Sequence, residues 1–171
     1  MDDDAALEPL DRLLAERACE RLLTDFLHRL DLGDPASVAG LFTQDGVWEW
    51  PAGDRRIEGR EALRAYFGGR PADRLSRRLS GNVLVTVDSA ATAHAVSYFA
   101  TYRVDGWTGG IVPPRLPANV GHYEDTFTRT GGAWLLATRT LHLAFGGATH
   151  HLGGGEDTAG RPPSATPATG T

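Results

Sequence analysis

The chain contains no lysine: all 17 of its basic residues are arginine. Schiff-base chemistry through a lysine amine and phosphate binding through a P-loop lysine are therefore excluded. It has one cysteine, Cys19, which rules out an internal disulfide and a cysteine-rich metal centre. Cys19 lies within a helical pattern and reads as a small buried residue. No apolar run approaches the length of a membrane span, and the acidic start MDDDAALEPL has neither the basic beginning nor the apolar centre of a signal peptide. Cytoplasmic location is expected. Positive charge is not in excess either: the net charge is −5 and the pI near 5.6, which argues against nucleic acid or an anionic membrane as partner.

What is present suits one globular domain, with 171 residues of which 41% are hydrophobic. From Asp11 to Leu30 the residues Leu13, Leu14, Ala18, Leu22, Leu23, Phe26, Leu27 and Leu30 recur at helical spacing between charged positions, predicting an amphipathic helix of about five turns. Gly33 closes it, and Asp34-Pro35 offers an N-cap and first-turn proline for a short helix ending near Phe42. Gln44-Asp45-Gly46 reads as a turn, and Val47 to Trp50 as a short strand stopped by Pro51. A further helix is expected over Arg60 to Phe67.

After the polar stretch RPADRLSRR, strands are predicted over Arg78 to Val87, Thr92 to Val104, Val120 to Thr130 and Ala133 to Phe145, with hairpins at Asp88-Ser-Ala-Ala and Thr130-Gly-Gly. Helices followed by a meander define an α+β class with an antiparallel sheet. The loop DGWTGGIVPPRLPANVG is placed to cover a pocket or carry a subunit contact. Residues 1–9 are expected to be an extension, 10–145 the domain, and 146–171, rich in glycine, proline, serine and threonine, a disordered tail.

Candidate site residues follow from this layout. Asp31 falls where the first helix ends, close to a strand that carries Trp48 and Trp50 on one face. It is either a solvated helix-end residue or an acid beside an aromatic pocket. His28 lies one turn earlier on the same side of the helix. Trp48, Trp50, Tyr98 and Phe99 read as core or pocket wall. Alternation from Trp134 puts Tyr123, Asp125 and Phe127 on one face, and a tight hairpin brings Leu136, Thr138, Thr140 and His142 to that same face. Asp125 and His142 are thereby acid/base candidates, unless a bulge inverts the strand. His122 should point the opposite way. His150-His151 has no third partner at metal-ligand spacing, so no metal is expected.

The segment LDLGDPASVAGLFTQDGVWEW, followed by Gly59-Arg-Glu-Ala-Leu, a late Gly-x-Tyr-x-Asp-x-Phe and Gly-x-Trp, resembles the SnoaL-like domains of the nuclear-transport-factor-two-like superfamily. The resemblance spans most of residues 10 to 142. It implies a cone-shaped barrel formed by a strongly curved antiparallel sheet wrapped over N-terminal helices. Within that superfamily, ketosteroid isomerases carry their general-base aspartate where this chain has Trp50, and an oxyanion tyrosine where it has Phe26. Scytalone-type dehydratases are more similar, with an aspartate at the position of Asp31 and an aromatic at that of Trp50. Their catalytic histidine corresponds to Arg78, and arginine stays charged at neutral pH, so it does not shuttle protons.

The resemblance implies a cofactor-independent cyclase, dehydratase or isomerase acting on an apolar, polyketide-like carbonyl substrate. In it, Arg78 would pair with Asp31 at the pocket floor and stabilise developing negative charge, while Asp31, directly or through a water, would take or return the proton. The alternative is a non-catalytic small-molecule-binding or dimerisation module. A homodimer is expected through the outer sheet positions Val96, Tyr98 and Ala100, with no nucleic acid or membrane as partner.

Overall fold

The computed structural model describes residues 7–147 and 150–151. Its first helix, α1 (Pro9–Asp31), begins with proline in its first turn and Asp11 beside the N-terminal dipole. Ala15, Cys19, Leu23, Phe26, Leu27 and Leu30 form its buried stripe. The helix ends through Leu32 and Gly33, whose amides both donate to His28 O, at 2.8 and 3.0 Å. A Cβ on Gly33 would approach Arg29 Cα to 3.2 Å, so close chain packing explains the glycine. The short second helix is a 3-10 segment, Pro35–Leu41, capped by the Asp34 side chain on Ala36 N.

Strand β1 (Phe42–Trp50) pairs antiparallel with β2 (Arg55–Glu58). The expected turn at Gln44-Asp45-Gly46 is instead a bulge inside β1, where the register slips between Phe42 and Val47. Gly46 is needed there because a Cβ would stand 2.7 Å from that of Phe42. Helix α2 (Arg60–Gly68) buries Leu63 and Phe67. Four long strands follow: β3 (Leu75–Val87), β4 (Thr92–Asp105), β5 (Asn119–Thr130) and β6 (Ala133–Gly146). β3 starts within the stretch expected as a polar loop.

The strand order is β2-β1-β6-β5-β4-β3, with β7 (His150–His151) added beside Val104 and Asp105 of β4. The architecture is α+β, with the N-terminal helices packed on a curved sheet that is open, β2 and β3 forming its two edges. The meander is antiparallel as expected, but β1 runs parallel to β6, so the sheet is mixed. That pairing joins the first strand to the last, and no local turn signal announces it. Of the expected tail, Gly146 completes β6 and His150–His151 form β7; residues 148–149 and 152–171 lie outside the described residues, as do 1–6 of the N-terminal extension.

The core lies between α1, α2 and the concave face of the sheet. Phe26 meets Phe42 and Phe67 edge-on, with ring centroids 6.2 and 5.6 Å apart, an arrangement that adds to the gain from burial. Beyond this core, toward the end of the sheet where α1 terminates, the sheet and helices diverge and leave a cavity.

Candidate active site

The cavity has a volume of roughly 400 Å³. One wall is aromatic. Trp48 packs on Tyr66 at 5.2 Å and Phe99 on Tyr123 at 4.5 Å between ring centroids, with Trp50, Phe26 and Phe67 completing the surface. Trp50 lies against Gly53: a Cβ there would stand 2.3 Å from the indole, so only glycine admits the ring. The Trp50 Nε1 donor is buried and has no hydrogen-bond partner among the described residues.

The opposite wall carries Arg70, Arg74, Arg78 and Arg103, with Arg55 at the rim. Their placement follows from strand parity. Ser76 and Arg103 are cross-strand partners, as are Arg78 and Thr101, so Ser76, Arg78, Thr101 and Arg103 share the concave face. Arg70 follows α2 and reaches back to Ser76 Oγ at 3.1 Å and Leu30 O at 3.4 Å.

Asp31 fixes Arg78. Its Oδ2 accepts from the Arg78 backbone N at 2.7 Å, its Oδ1 accepts from Ser76 Oγ at 2.7 Å, and the Arg78 guanidinium binds Oδ1 directly. The Arg77 guanidinium adds a bond to Asp31 O at 3.2 Å. Both Asp31 and Arg78 side chains are largely withdrawn from water, where a charge-assisted pair is strong only when its remaining hydrogen bonds are made. Ser76 and the Arg78 amide make them. Arg74 is held by Asp105 through two bonds of 2.7 and 3.2 Å. Burial, and then the neighbouring Arg78, lower the Arg70 pKa to about 10. Burial, followed by Arg74, lowers that of Arg103.

The cavity brings together Arg78, Trp48, Trp50, Phe99 and Tyr123 of the residues expected from sequence, with Asp31 directly behind Arg78. It excludes the others. His28 is exposed on α1, and Phe127 is buried in the core below. Asp125 shares the concave face with Tyr123 and Phe127, as parity predicts, but is sealed beneath the cavity, 3.6 Å from Arg139. Burial raises its pKa to about 6, and Arg139 opposes that shift. The Arg139 guanidinium is stacked between Phe26 and Tyr123, 4.3 and 3.9 Å from their centroids.

His142 is a correction. β6 carries an extra residue, Ala137, between the pairs Phe127–Leu136 and Thr126–Thr138. The bulge reverses parity, so Arg139, Leu141 and Leu143 face inward, while Thr138, Thr140 and His142 turn outward. There His142 stacks on His122 at 4.7 Å and approaches Glu124 at 3.4 Å. These three side chains form a cluster on the convex face, away from the cavity.

Sequence reasoning missed Arg70, Arg74 and Arg103, because charged residues in a polar loop or on a strand read as solvated. The signal was the alternation Ser76, Arg78 on β3 against Thr101, Arg103 on β4, visible only once the pairing is known.

Helices packed on one face of a curved, open mixed sheet, with a cavity at its end, define a cystatin-like architecture. The chain belongs to the SnoaL-like domain family, whose model matches residues 11–140. Among solved structures, it is similar to a nuclear-transport-factor-two-like protein with a cystatin-like fold from Novosphingobium aromaticivorans, at 28% identity over 86% of this chain and 94% of that one, TM-score 0.67. A scytalone-dehydratase-like protein from the same organism matches at 22% identity, over 87% of this chain and 100% of that one, TM-score 0.70. A protein of unknown function from Mycobacterium tuberculosis matches at 26% identity, over 81% and 78%, TM-score 0.65. No curated protein matches by sequence.

Proposed function

We propose that this protein is a cofactor-independent cyclase or dehydratase acting on a planar, enolisable carbonyl compound, in which Arg78 stabilises the enolate. The observation that carries this reading is the Arg78 guanidinium on the wall of an aromatic cavity, held from behind by Asp31 and Ser76. A preorganised cation in a partly dry site lowers the energy of developing negative charge more than water does. The aromatic wall would hold a conjugated carbon skeleton in the reactive conformer, a contribution that can reach several kcal/mol.

The steps balance without a cofactor. A C–H bond flanked by two carbonyls breaks, its proton passes to water at the cavity mouth, and its electron pair moves onto the carbonyl oxygen facing Arg78. The enolate carbon attacks a second carbonyl of the same molecule and forms a C–C bond, and the resulting alkoxide takes a proton. Loss of hydroxide, with one further proton from carbon, yields water and a conjugated ring. Asp31 orients Arg78 throughout. Both of its carboxylate oxygens are already engaged, so the structure suits it to positioning rather than to direct attack on the C–H bond.

The test is deuterium incorporation at the acidic carbon of planar 1,3-dicarbonyl compounds, followed by NMR, together with mass-spectrometric detection of water loss. Arg78→Met should lower the rate by ~100-fold, the scale expected for removal of one oxyanion-stabilising donor. Equal rates in wild type and variant would remove Arg78 from the chemistry.

A second reading, a non-catalytic binding module, is favoured by one observation: among the described residues lining the cavity there is no carboxylate and no histidine. Ligand binding without exchange or water loss for any compound that binds would establish it. We also propose self-association through the convex face of β3 and β4, where Leu79, Leu84 and Tyr98 are exposed together.

A further inference from the structure

His122, Glu124 and His142 meet on the convex face of the sheet because of the bulge at Ala137. His122 and Glu124 are two residues apart on β5 and so share a face, and His142 is the cross-strand partner of His122 on β6. Alternation carried unbroken from Trp134 would send His142 to the concave side. The extra residue turns it outward, onto the side where His122 already stands. The imidazoles stack, with ring centroids 4.7 Å apart and planes 14° from parallel, and Glu124 reaches toward both. Its Oε1 lies 3.7 Å from His122 Nε2 and its Oε2 lies 3.4 Å from His142 Nε2.

These separations are too long for hydrogen bonds, which hold N–H···O pairs at about 2.7–3.2 Å. His142 Nε2 is nevertheless shielded from solvent, with no hydrogen-bond partner among the described residues. A shielded nitrogen in that state has given up its water with nothing in its place, which is costly and uncommon. Glu124 has no arginine partner among the described residues. Its cross-strand neighbours Val96 and Thr140, and Tyr98 opposite His122, carry no charge. The cluster is therefore left with three inward-turned ligand atoms and no cation among them.

Those three atoms lie within 4.8 Å of one another. Around a tetrahedral zinc ion, with ligand bonds of about 2.0–2.2 Å, ligand atoms stand roughly 3.4 Å apart. Rotation of the side chains closes the difference, since all three are at least partly exposed while their backbones are locked in one ladder. Imidazole nitrogens select borderline cations of the zinc kind, whereas calcium and magnesium take oxygen ligands.

We propose that the convex face binds one zinc ion, held by the Nε2 atoms of His122 and His142 and by the Glu124 carboxylate. Three protein ligands leave the fourth position of the tetrahedron open to solvent. The ion ties β5 to β6 across the ladder and gives His142 Nε2 the partner it lacks. The site lies on the other side of the sheet from the cavity, so it is independent of the Arg78 chemistry.

The test uses the full-length protein, stripped of metal by a chelator, and zinc chloride as the probe in isothermal titration calorimetry in a non-coordinating buffer. Wild type should bind one zinc per chain at micromolar concentration or below, and should not respond to magnesium or calcium. His122→Gln, His142→Gln and Glu124→Gln should each weaken zinc by at least ~10-fold, since loss of a ligand costs no less than loss of an outer-shell partner. Cobalt(II) in place of zinc should give the intense visible absorption of a tetrahedral site in wild type, and each variant should lose it. The adjacent pair His150-His151 is the competing location, and the double variant His150→Gln, His151→Gln should bind zinc as wild type does. If a histidine variant fails to fold by circular dichroism, Glu124→Gln, at an exposed position, decides. Absence of zinc binding by wild type would overturn the proposal, as would equal affinity in wild type and the folded ligand variants. Binding lost in the double variant but kept in His142→Gln would also overturn it, placing the ion on the histidines at 150 and 151.

Discussion

Asp125 and Arg139 face each other at 3.6 Å across the β5–β6 ladder, both sealed from solvent, and neither carboxylate oxygen of Asp125 has a hydrogen bond among the described residues. The pair depends on Coulomb attraction and on the two rings that sandwich the guanidinium. Removing only the cation should therefore be severe. Arg139→Met should destabilise the protein by about 3–5 kcal/mol, the range for breaking a buried pair, while Arg139→Met combined with Asp125→Leu should recover much of the loss. Chemical denaturation of the three proteins decides it, and additive losses would count against the pairing.

The same residue gives the protein a pH signature. Burial raises Asp125 to about 6 in the folded state, above the ~3.9 of an unfolded aspartate. Folding therefore takes up a proton between these values, and the stability this group contributes is fully present below about pH 4 and lost as pH rises through about 6. Measured against Asp125→Asn, the wild type should lose relative stability across that interval. A difference that stays flat with pH would show that Asp125 is not raised.

Asp31 should separate stability from chemistry. Asp31→Asn keeps an acceptor for the Arg78 amide but removes the charge that holds the guanidinium. The expected outcome is a loss of about 1–3 kcal/mol in stability, a fall of ~100-fold in the exchange rate assigned to Arg78, and nearly unchanged affinity for a neutral planar ligand. Wild-type turnover in this variant would remove Asp31 from the mechanism.

Gly53 should report on Trp50. A methyl group at position 53 would overlap the indole, at 2.3 Å, so Gly53→Ala must rotate the ring out of the cavity wall. Affinity for planar ligands should drop by about 10-fold, consistent with ~1.4 kcal/mol of lost contact, with a shift in tryptophan fluorescence and little change in melting temperature because position 53 is only half-buried.

Convex-face association predicts that sedimentation will give a dimer, and that Tyr98→Asp together with Leu84→Asp will give a monomer without loss of fold, since both side chains are exposed. A monomeric wild type at all accessible concentrations would reject it.

Much of the fold was legible because its signals are local. The 3.6-residue stripe of α1, the hairpin residues before β4 and β6, and the α2 pattern are each contained within a short window, and each element is where periodicity puts it, to within a few residues. The parallel β1–β6 pairing was not legible, since it joins segments about ninety residues apart with no turn between them. Of the site, the Asp31–Arg78 contact and the aromatic wall were readable, the first through resemblance and the second from strand parity. His142 was misplaced because alternation was carried across Ala137, and nothing in that segment's composition marks a bulge. Arg70 and Arg103 escaped because a buried arginine is identified by what surrounds it in space.

The bulge at Ala137, and a second one where Ala144 is left unpaired between the Gly121–Leu143 and Val120–Phe145 pairs, also bear on how this strand can change over time. Each behaves as a frameshift in the alternation of faces, so the bulges of β6 decide which residues line the cavity. Substitutions at Ala137 alter one partly buried side chain. Straightening the strand so that Ala137 itself pairs with Thr126 would exchange Arg139, Leu141 and Leu143 for Thr138, Thr140 and His142 across the whole wall in one event. Losing Ala137 altogether would leave Thr138 opposite Thr126 and the same wall in place, so this is a position of the strand where a deletion keeps every face.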